Sequence, residues 1–517
     1  MFKINPLTKK NHIMIWHIAK KDFLLNIFSA RFIIGVLICL ILVPFTIRVS
    51  IDEYKSQLRI YAVDKEKSEK EWKEIKVYSN LKPEIVKYPE PLGIFYKGIN
   101  QNVGNKVKIY LQEYPFFPTG HASTRDNPLL NAFFSLDFIT VLSIVLSLLA
   151  LVFSYDLITR EHEDGTLKLI FTNYNSRISF LIGKITGVLI SLLPILVFCF
   201  LLSSLFIVLS PDIKLQVSDW MRVIILFIFS ILYVLIFILA GTFISAMVKH
   251  SSTAIVLSML FWIWFVFLWP VSGSYLSKSI VKIDLYDNVR NSLDDLDKEY
   301  GKKEGEQWDA IQKSLNMKGT SWWNATGGED GYFETYGSPS ETMEFHRQLN
   351  TWKEPVRLLY ADRKWPIQKK YLDGLIRQQK VEQNLSWFSP SEIFVQAASC
   401  LCRSSEKDFL RYMDEMRRYR ETIVTFLKEK KLFEKYIYFT PQDPATFVST
   451  AEYIKGNNKV PDHFNTLDLK DVPQFNDQPA GIDKSLNDAL SGIAVFIVIS
   501  ILLFSGGIIV FKRYQLR

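Results

Sequence analysis

Six long apolar runs alternate with polar segments along this chain of 517 residues. Each run holds about 20 or more largely apolar residues, which is the length that an α-helix needs to cross a bilayer. We therefore predict a polytopic α-helical membrane protein with six transmembrane helices. The predicted helices span Ile27–Ile47, Phe133–Phe153, Phe180–Leu209, Val223–Val248, Thr253–Leu276 and Ala489–Phe511.

The basic residues that flank these runs predict the orientation of the chain. They lie before the first run, between the second and third, between the fourth and fifth, and after the sixth, and they include Lys20, Lys21, Arg160, Lys168, Arg177, Lys184, Lys249, Lys512 and Arg513. With six helices, all of these segments fall on one side, and Lys and Arg favour the cytoplasmic side. We therefore expect both termini, including the tail 512–517, to be cytoplasmic.

The residues ahead of the first run are expected to form a helix at the cytoplasmic membrane surface. Residues 1–26 mix Trp16, Phe23 and other apolar side chains with Lys20 and Lys21, as an amphipathic interfacial helix does. No small-x-small cleavage motif follows the first run, so we expect that run to remain in the protein as an anchor.

Two long polar segments, 48–130 and 277–486, are then extracytoplasmic. In the first segment, "NKVKIYLQEY" alternates between apolar and polar residues as a strand does. In the second, Leu285, Val289 and Leu293 recur at helical spacing. Because both segments emerge on the same face, we expect them to form one mixed α/β domain. It should be mainly helical, with its strands mostly from the first segment.

The composition excludes some classes of protein. Apolar residues make up 49% of the chain, which is too high a fraction for an ordinary soluble protein. The net charge of +8 is explained by the basic flanks, so we expect membrane lipid, and no nucleic acid, as a partner. The seven histidines are scattered along the chain, and we expect no metal site.

The sequence also contains no catalytic constellation and no G-x-x-x-x-G-K-[ST] phosphate-binding loop. We therefore expect that the chain is not an enzyme and holds no cofactor of its own. Of the four cysteines, Cys39 and Cys199 lie in apolar runs and are expected to be small hydrophobic residues. Cys400 and Cys402 form a C-x-C motif, which the sequence leaves open as reduced, bridged or metal-binding.

The loop 155–178, between the second and third runs, is longer than a hairpin between two membrane helices requires. An acidic cluster is followed by Gly-Thr-Leu, an Arg and a Gly-Lys pair, namely Glu161, Glu163, Gly165, Thr166, Leu167, Arg177, Gly183 and Lys184. This order resembles the signature loop of ABC-2-type transporter permeases. Two departures are His162 between the acids and the absence of a proline from "TNYNSR".

Other segments, among them "YPEPLGIFYKGINQNVGNKVKIYL", resemble a subgroup of these permeases with large extracytoplasmic inserts. That subgroup is related to the permeases of copper-enzyme maturation and gliding motility. The resemblance implies a pair of permeases, in which the second is identical or paralogous. It also implies cytoplasmic ABC ATPase subunits, which hold ATP and Mg.

On the same resemblance, the loop 155–178 is the coupling element that the ATPase touches, through Glu161, Glu163, Gly165, Thr166 and Arg177. The carboxylates offer charge-assisted contacts to basic groups, and Gly165 permits a tight turn. We therefore expect that replacing both Glu161 and Glu163 with Ala weakens ATPase docking and leaves the spans folded.

Four further residues are candidates for function or packing. Asp137 lies near the outer end of the second predicted span and is either a functional carboxylate or an interfacial residue. Gly183 is expected to pack against a neighbouring helix. Gly241 and Ser245 form a small-x-x-x-small pair, which is typical of a close contact between membrane helices.

Three functions remain open at this point. In the first, the chain is the permease of an ATP-driven exporter. In the second, the complex transports nothing and transmits movement to an extracytoplasmic protein partner. In the third, the chain is a membrane-anchored enzyme or sensor whose active part is Ser277–Leu486. The identity of a cargo does not follow from the sequence.

Overall fold

The computed structural model describes residues 6–75, 81–101, 104–116, 137–167, 177–317, 325–327, 333–335, 340–432 and 468–513. The α-helices are α1 (Pro6–Ile27), α2 (Ala30–Lys73), α3 (Phe138–Ser154), α4 (Thr159–Glu163), α5 (Arg177–Val208), α6 (Val217–Met247), α7 (Ser251–Ile263), α8 (Trp269–Ile280), α9 (Tyr286–Ser314), α10 (Ser340–Ser386), α11 (Pro390–Leu401), α12 (Glu406–Glu429) and α13 (Ile482–Arg513). The strands β1 (Glu84–Val86) and β2 (Lys106–Lys108) form one antiparallel pair, and β3 (Ala325–Gly327) and β4 (Phe333–Thr335) form another.

Six helical stretches of the described chain are long and apolar enough to cross a membrane, which confirms the predicted number. Four are the single helices α2, α5, α6 and α13. The other two are Phe138–Glu163, made of α3 and α4, and Ser251–Ile280, in which a π-helical turn at Trp264–Leu268 joins α7 to α8. Residues 133–136, where the second predicted span begins, lie outside the described residues.

The helix α2 extends far beyond the predicted end of the first span. It continues from Ala30 to Lys73, which is 44 residues. The polar part of the sequence remains suited to a helix, since pairs four residues apart, such as Lys67 and Glu71, bring opposite charges together. At 1.5 Å per residue, the helix is roughly 66 Å long, about twice the thickness of a hydrocarbon core.

The helix α6 lies at the centre of the bundle and packs against α3, α5, α11 and α13. Its sequence is apolar nearly all round, which is typical of a helix that is buried on every side. Tyr233 stacks on Phe394 with 4.5 Å between ring centroids, and Phe229 stacks on Phe496 at 5.0 Å. Phe394 belongs to α11, so part of the long segment 277–486 packs directly among the spans.

The start of α11 follows from its sequence. The hydroxyl of Ser389 accepts the backbone N–H of Glu392 at 3.3 Å, and Pro390 takes the first helical position, where its missing N–H costs nothing. Ile393 and Ala397 are buried with Phe394 on the face that meets α6 and α13. This apolar face fixes α11 to the spans.

Residues from both long polar segments share one hydrophobic cluster, as expected for a single domain. It contains Leu81, Val107, Ile109 and Leu111 from the first segment and Phe409, Met413, Met416, Ile423 and Leu427 from the second. The domain is mainly helical, as predicted. In the described residues, each segment contributes one pair of three-residue strands, rather than most strands coming from the first. Residues 117–136 and 433–467 of these segments lie outside the described residues.

The elements that connect the spans gather at two ends of the bundle. At the terminal end lie α1, α4, the start of α7 and the end of α13. There Arg177 donates to the carbonyl oxygens of Phe511 at 3.0 Å and Lys512 at 2.7 Å. At the domain end, the guanidinium of Arg222, which is 1% exposed, donates to Leu401 O at 3.1 Å, Ser485 Oγ at 2.7 Å and Ala480 O at 2.7 Å.

A turn at Gly98 docks the first polar segment onto the second. Gly98 has a φ of +51°, and a Cβ there would lie 2.3 Å from the carbonyl oxygen of Ser404, so both conformation and space require glycine. The next N–H, of Ile99, donates to the same carbonyl at 3.1 Å. Lys97 Nζ lies 2.5 Å from Glu53 Oε2 of α2, which also ties the turn to the extension of the first span.

Asp137 caps the start of α3. Its carboxylate is buried, 3% exposed, and accepts the N–H of Thr140 at 2.8 Å and that of Lys97 at 3.4 Å. Burial raises the pKa of this carboxyl to about 6, although the two N–H groups oppose the shift. The carboxylate joins the start of the second span to the first polar segment, which is the arrangement of a structural cap.

Replacing Asp137 with Ala is expected to destabilise the protein by about 1 kcal/mol, because α3 loses its N-cap acceptor. Asn keeps an acceptor without the buried charge, so Asp137→Asn should retain the natural stability. Thermal unfolding of the two variants in detergent measures both effects. Equal losses in both variants would show that the site needs the charge rather than the cap.

Candidate functional site

The helices α1 and α5 pack closely at the terminal end, where two glycines of α5 face α1. A Cβ on Gly183 would lie 3.0 Å from Cβ of Ile18, and one on Gly187 would lie 2.9 Å from Cβ of Asp22. Their spacing of four residues puts both glycines on one face of α5. Small residues at this spacing let two helices approach closely within a membrane.

The helix α1 has apolar side chains on both sides, which differs from the simple amphipathic helix expected. Met14 and Ala19 are buried. Trp16, Leu24 and Leu25 are exposed by 61%, 45% and 54%. One side of α1 therefore packs on protein, and the other is suited to a lipid interface.

Lys184 of α5 pairs with two carboxylates from different elements. Its Nζ lies 2.6 Å from Glu161 Oε1 of α4 and 3.2 Å from Asp22 Oδ1 of α1. The side chains of Lys184, Glu161 and Asp22 are only 6%, 11% and 7% exposed. Lys21 Nζ, which is more exposed, lies 3.6 Å from the same Glu161 oxygen. We call Asp22, Glu161 and Lys184, with Lys21 at the edge, the junction.

The junction contains equal numbers of carboxylates and ammonium groups, but one of its carboxylate oxygens has no hydrogen-bond partner among the described residues. Two carboxylates face two ammonium groups, but Lys21 is 58% exposed, so the balance includes a cation at the surface. Among the described residues, however, Asp22 Oδ2 has no hydrogen-bond partner. Burial raises the pKa of the Asp22 carboxyl, and Lys184 opposes that shift. A cavity of about 180 Å³ borders the junction, between α1 and the start of α5.

A tight turn holds Glu161 in place. Gly165 has a φ of +71°, which favours glycine, and a Cβ there would meet no atom within 4 Å. The conformation of the turn, rather than close packing, therefore selects glycine. The turn brings Thr166 back to Glu161. The Thr166 hydroxyl donates to the backbone carbonyl of Glu161 at 3.2 Å and to the Glu161 carboxylate. Residues 168–176 of the predicted coupling loop lie outside the described residues.

Glu163 lies in a different place from Glu161, at the start of α7. Its carboxylate accepts the backbone N–H of Ser251 at 2.9 Å and the hydroxyl of Ser251 at 2.7 Å. It satisfies a donor at a helix N-terminus, where a negative charge is favoured. The side chain remains 39% exposed, so Glu163 is the more accessible of the two predicted acids.

The pair Gly241 and Ser245 lies where α6 crosses α3 and α4. A Cβ on Gly241 would lie 2.0 Å from Ser154 Oγ, which leaves no room for a larger residue. The hydroxyl oxygen of Ser245 accepts the N–H groups of Ile158 at 3.0 Å and Thr159 at 3.2 Å. The centre of the bundle is thereby attached to the turn that carries Glu161.

The structure places the predicted coupling residues that it describes at the terminal end, with Glu161 in different contacts from those expected, and it places Asp137 at the domain end. Glu161 was expected to face a partner, yet it is buried against Lys184 because α1 covers it. Asp22 and Gly187 were missed, and Lys184 was interpreted as a basic flanking residue and as part of the loop pattern. The spacing of Gly183 and Gly187, four residues apart, was the signal that a helix packs on this face.

The burial of Glu161 also changes the expectation for its replacement. Glu161→Ala removes one of the two carboxylates that neutralise Lys184, so it should weaken the junction itself. The double replacement of Glu161 and Glu163 is therefore not a clean test of docking. Of the two acids, Glu163 alone is accessible enough to test a contact with a partner.

Replacing Lys184 with Met should destabilise the protein by about 3–5 kcal/mol, because two buried carboxylates are left without their cation. The triple variant Asp22→Asn, Glu161→Gln and Lys184→Met removes all three charges and should recover most of that loss. Thermal unfolding of detergent-purified protein compares the two variants. A triple variant as unstable as the single one would show that charge balance is not what the junction supplies.

Comparison with known proteins places these features in a family. A model of the family described as ABC-2 family transporter protein matches residues 16–513, which include the junction and all six spans. No curated protein matches the chain. Membership implies association with an ATPase subunit and typically with a second permease. The chain therefore belongs to the ABC-2 transporter family and is a multi-pass membrane permease component of an ABC transporter.

Proposed function

We propose that this chain is the permease subunit of an ATP-driven exporter in a bacterial cytoplasmic membrane, with its terminal end in the cytoplasm. A separate ATPase, holding ATP and Mg, docks at the terminal end beside the junction. A second permease, identical or paralogous, completes the transporter. The chain itself is not an enzyme in this proposal, which agrees with the absence of a phosphate-binding loop from its sequence.

The observation that carries the proposal is the junction. It joins α1, α4 and α5 through Lys184, and Arg177 adds the end of α13. A force applied to the loop 155–178 therefore reaches several spans together. An ATPase that moves this loop would displace the bundle without having to enter the membrane.

One observation favours the alternative in which the complex transmits movement instead of moving a cargo. The helix α2 is continuous from the terminal end through the membrane and well into the domain. At the terminal end Arg31 donates to Asp156 Oδ2 at 2.9 Å, and at the domain end Glu53 pairs with Lys97. Such a rod would carry a displacement directly to an extracytoplasmic protein partner.

Labelling with a membrane-impermeant thiol reagent tests the orientation. Single cysteines at Lys70 of α2 and Lys302 of α9, both exposed, should react from outside in sealed cells, after the natural cysteines are replaced. A cysteine at Asp164, exposed at the terminal end, should react only after the membrane is opened. Labelling of position 164 in sealed cells would overturn the proposed orientation.

Purification of the complex from its native membrane tests the partner. The complex should hydrolyse ATP in the presence of Mg, whereas the isolated chain should not. Glu163→Ala is expected to lower ATPase recovery and hydrolysis severalfold, because an accessible carboxylate is lost at the docking end. Glu306→Ala, in the exposed part of α9 at the domain end, is the matched control and should change neither.

Glu163 also holds Ser251, so a second variant separates docking from local structure. Ser251→Ala removes the hydroxyl contact with Glu163 and keeps the carboxylate. It should retain ATPase recovery. If Ser251→Ala lowers ATPase recovery as much as Glu163→Ala does, the acid acts through its contact with the Ser251 hydroxyl, and its contact with an ATPase is refuted.

A further inference from the structure

A large cavity opens at the domain end, beside the spans. Its volume is about 830 Å³, and its walls come from α8, the end of α10, α11, the start of α12 and the start of α13. This volume lies within the range of small-molecule sites, roughly 300–1,000 Å³. The junction lies at the other end of the bundle, so this cavity is a separate feature.

Carboxylates from four different elements line the cavity. They are Glu382 of α10, Glu392 of α11, Glu406 of α12 and Asp488 of α13. Among the described residues, the lining contains one cationic side chain, Lys407, whose Nζ lies 3.0 Å from Asp488 Oδ1. The cavity therefore carries an excess of negative charge.

Among the described residues, none of the other three carboxylates forms an ion pair within 4 Å, although Lys380 and Lys407 attract Glu406 from a greater distance. Glu382 accepts the hydroxyl of Ser274, and Glu406 accepts Nε2 of Gln383 at 3.2 Å. In the described part of the chain, the carboxylate of Glu392 makes no hydrogen bond or ion pair. All three side chains are half-buried. A half-buried carboxylate without a cation is costly, and a cation from outside would relieve that cost.

Aromatic rings supply the apolar part of the wall. Tyr96, Trp269 and Trp387 line the cavity, and the indole N–H of Trp269 donates to Leu385 O at 2.9 Å, which fixes its ring. Trp387 is 42% exposed, beside Phe388, which is 65% exposed. Aromatic faces attract cations and also receive apolar groups. Exposed aromatic residues at the end of the spans are typical of the membrane interface.

We propose that this cavity binds an organic cation with an apolar body. If the proposed function holds, such a cation is a cargo or a regulator of the transporter. An anion would meet three unpaired carboxylates, and a neutral molecule would bury them without compensation. The amine of a lipid headgroup has the same chemistry as a free amphiphilic amine, so both are sources that an experiment must separate.

The carboxylates of the cavity also predict a dependence of binding on pH. Burial raises the pKa of Glu392 to about 6 and that of Glu406 to about 7, with the neighbouring Glu382 adding to both shifts. The other charged groups nearby are Lys380, Lys407 and Asp488. Burial raises the pKa values of Tyr96 and Cys400, so both stay neutral. As pH falls through these values, Glu392 and Glu406 gain protons and cation binding should weaken.

The test compares two ions of nearly equal shape and opposite charge. Radiolabelled tetraphenylphosphonium and tetraphenylborate are offered to the purified chain in phosphatidylglycerol nanodiscs, and binding to empty nanodiscs is subtracted. Tetraphenylphosphonium should bind saturably and tetraphenylborate should not. The double variant Glu392→Gln and Glu406→Gln should weaken cation binding about tenfold or more. Glu429→Gln, exposed on the same helix as Glu406, is the matched control and should not change it.

Two further measurements identify the source of the bound cation and the role of the aromatic side chains that line the cavity. Phosphatidylethanolamine in the nanodiscs should compete with tetraphenylphosphonium if a lipid amine is the occupant, and it should have no effect if the site takes a free cation. Trp387→Ala should also weaken binding, because a ring of the wall is lost. Unchanged cation binding in the double Gln variant, with its helical content and elution profile intact, would overturn the proposal, as would equal binding of tetraphenylborate.

The result is independent of the ATPase. Binding is measured on the permease alone, whereas the proposed function is tested by recovery of ATPase activity. Loss of cation binding in the Gln variant with normal ATPase recovery would support the cavity as a separate site. Intact, carboxylate-dependent binding in a chain that recruits no ATPase would refute the proposed function and leave the cavity site standing.

Discussion

The fold depends at its terminal end on the pairing of one buried cation, Lys184. A buried ammonium group is costly unless anions surround it, and here Asp22 and Glu161 supply them. These acids belong to α1 and α4, which are distant in sequence from each other. Satisfying Lys184 therefore fixes the positions of three elements at once. The glycines at 183 and 187 make this possible, because they allow α1 to approach α5 closely enough for Asp22 to reach Lys184.

A second buried cation fixes the domain end in a different way. Arg222 donates mainly to backbone carbonyl oxygens, those of Leu401 and Ala480, and to one hydroxyl. A guanidinium presents several donors in a fixed plane, so it can hold the end of α11 and the start of α13 together. Lys184 is thus held by opposite charges, whereas Arg222 is held by backbone carbonyl dipoles and one hydroxyl. Only the first of these arrangements depends on carboxylates that a change in protonation would alter.

The sequence predicted the spans well because their signal is local. About twenty apolar residues in a row specify a membrane helix whatever lies around them. The contacts of Glu161 were not predictable in the same way, since they depend on α1 docking on α5, and α1 was expected to lie at the membrane surface. The loop pattern did identify the region that contains the junction. Asp22, the other carboxylate that pairs with Lys184, lies 139 positions before Glu161 in the chain. No local pattern in the sequence could connect the two.

The other differences between prediction and structure also arise from contacts between residues that are distant in sequence. The alternating stretch "NKVKIYLQEY" predicted a strand, but only Lys106–Lys108 forms one. In the described residues, its pairing partner is β1, which has three residues. Asp137 was expected to be a functional or interfacial acid, and it is instead an N-cap whose second donor, Lys97, lies 40 positions away. When the contacts of a residue depend on a neighbour that is distant in sequence, the sequence pattern identifies the residue but does not predict those contacts.

The middle of the bundle determines how its two ends can communicate. Serine hydroxyls of the spans donate to carbonyls four residues earlier in their own helices, as Ser147, Ser191, Ser203 and Ser230 do. These bonds satisfy the hydroxyls locally, so they do not form a polar path along the spans. In the proposed function, movement would then pass through the helices as rigid bodies. Both α2 and α6 have side-chain contacts at the two ends of the bundle, α2 through Arg31 and Glu53 and α6 through Ser245 and Arg222.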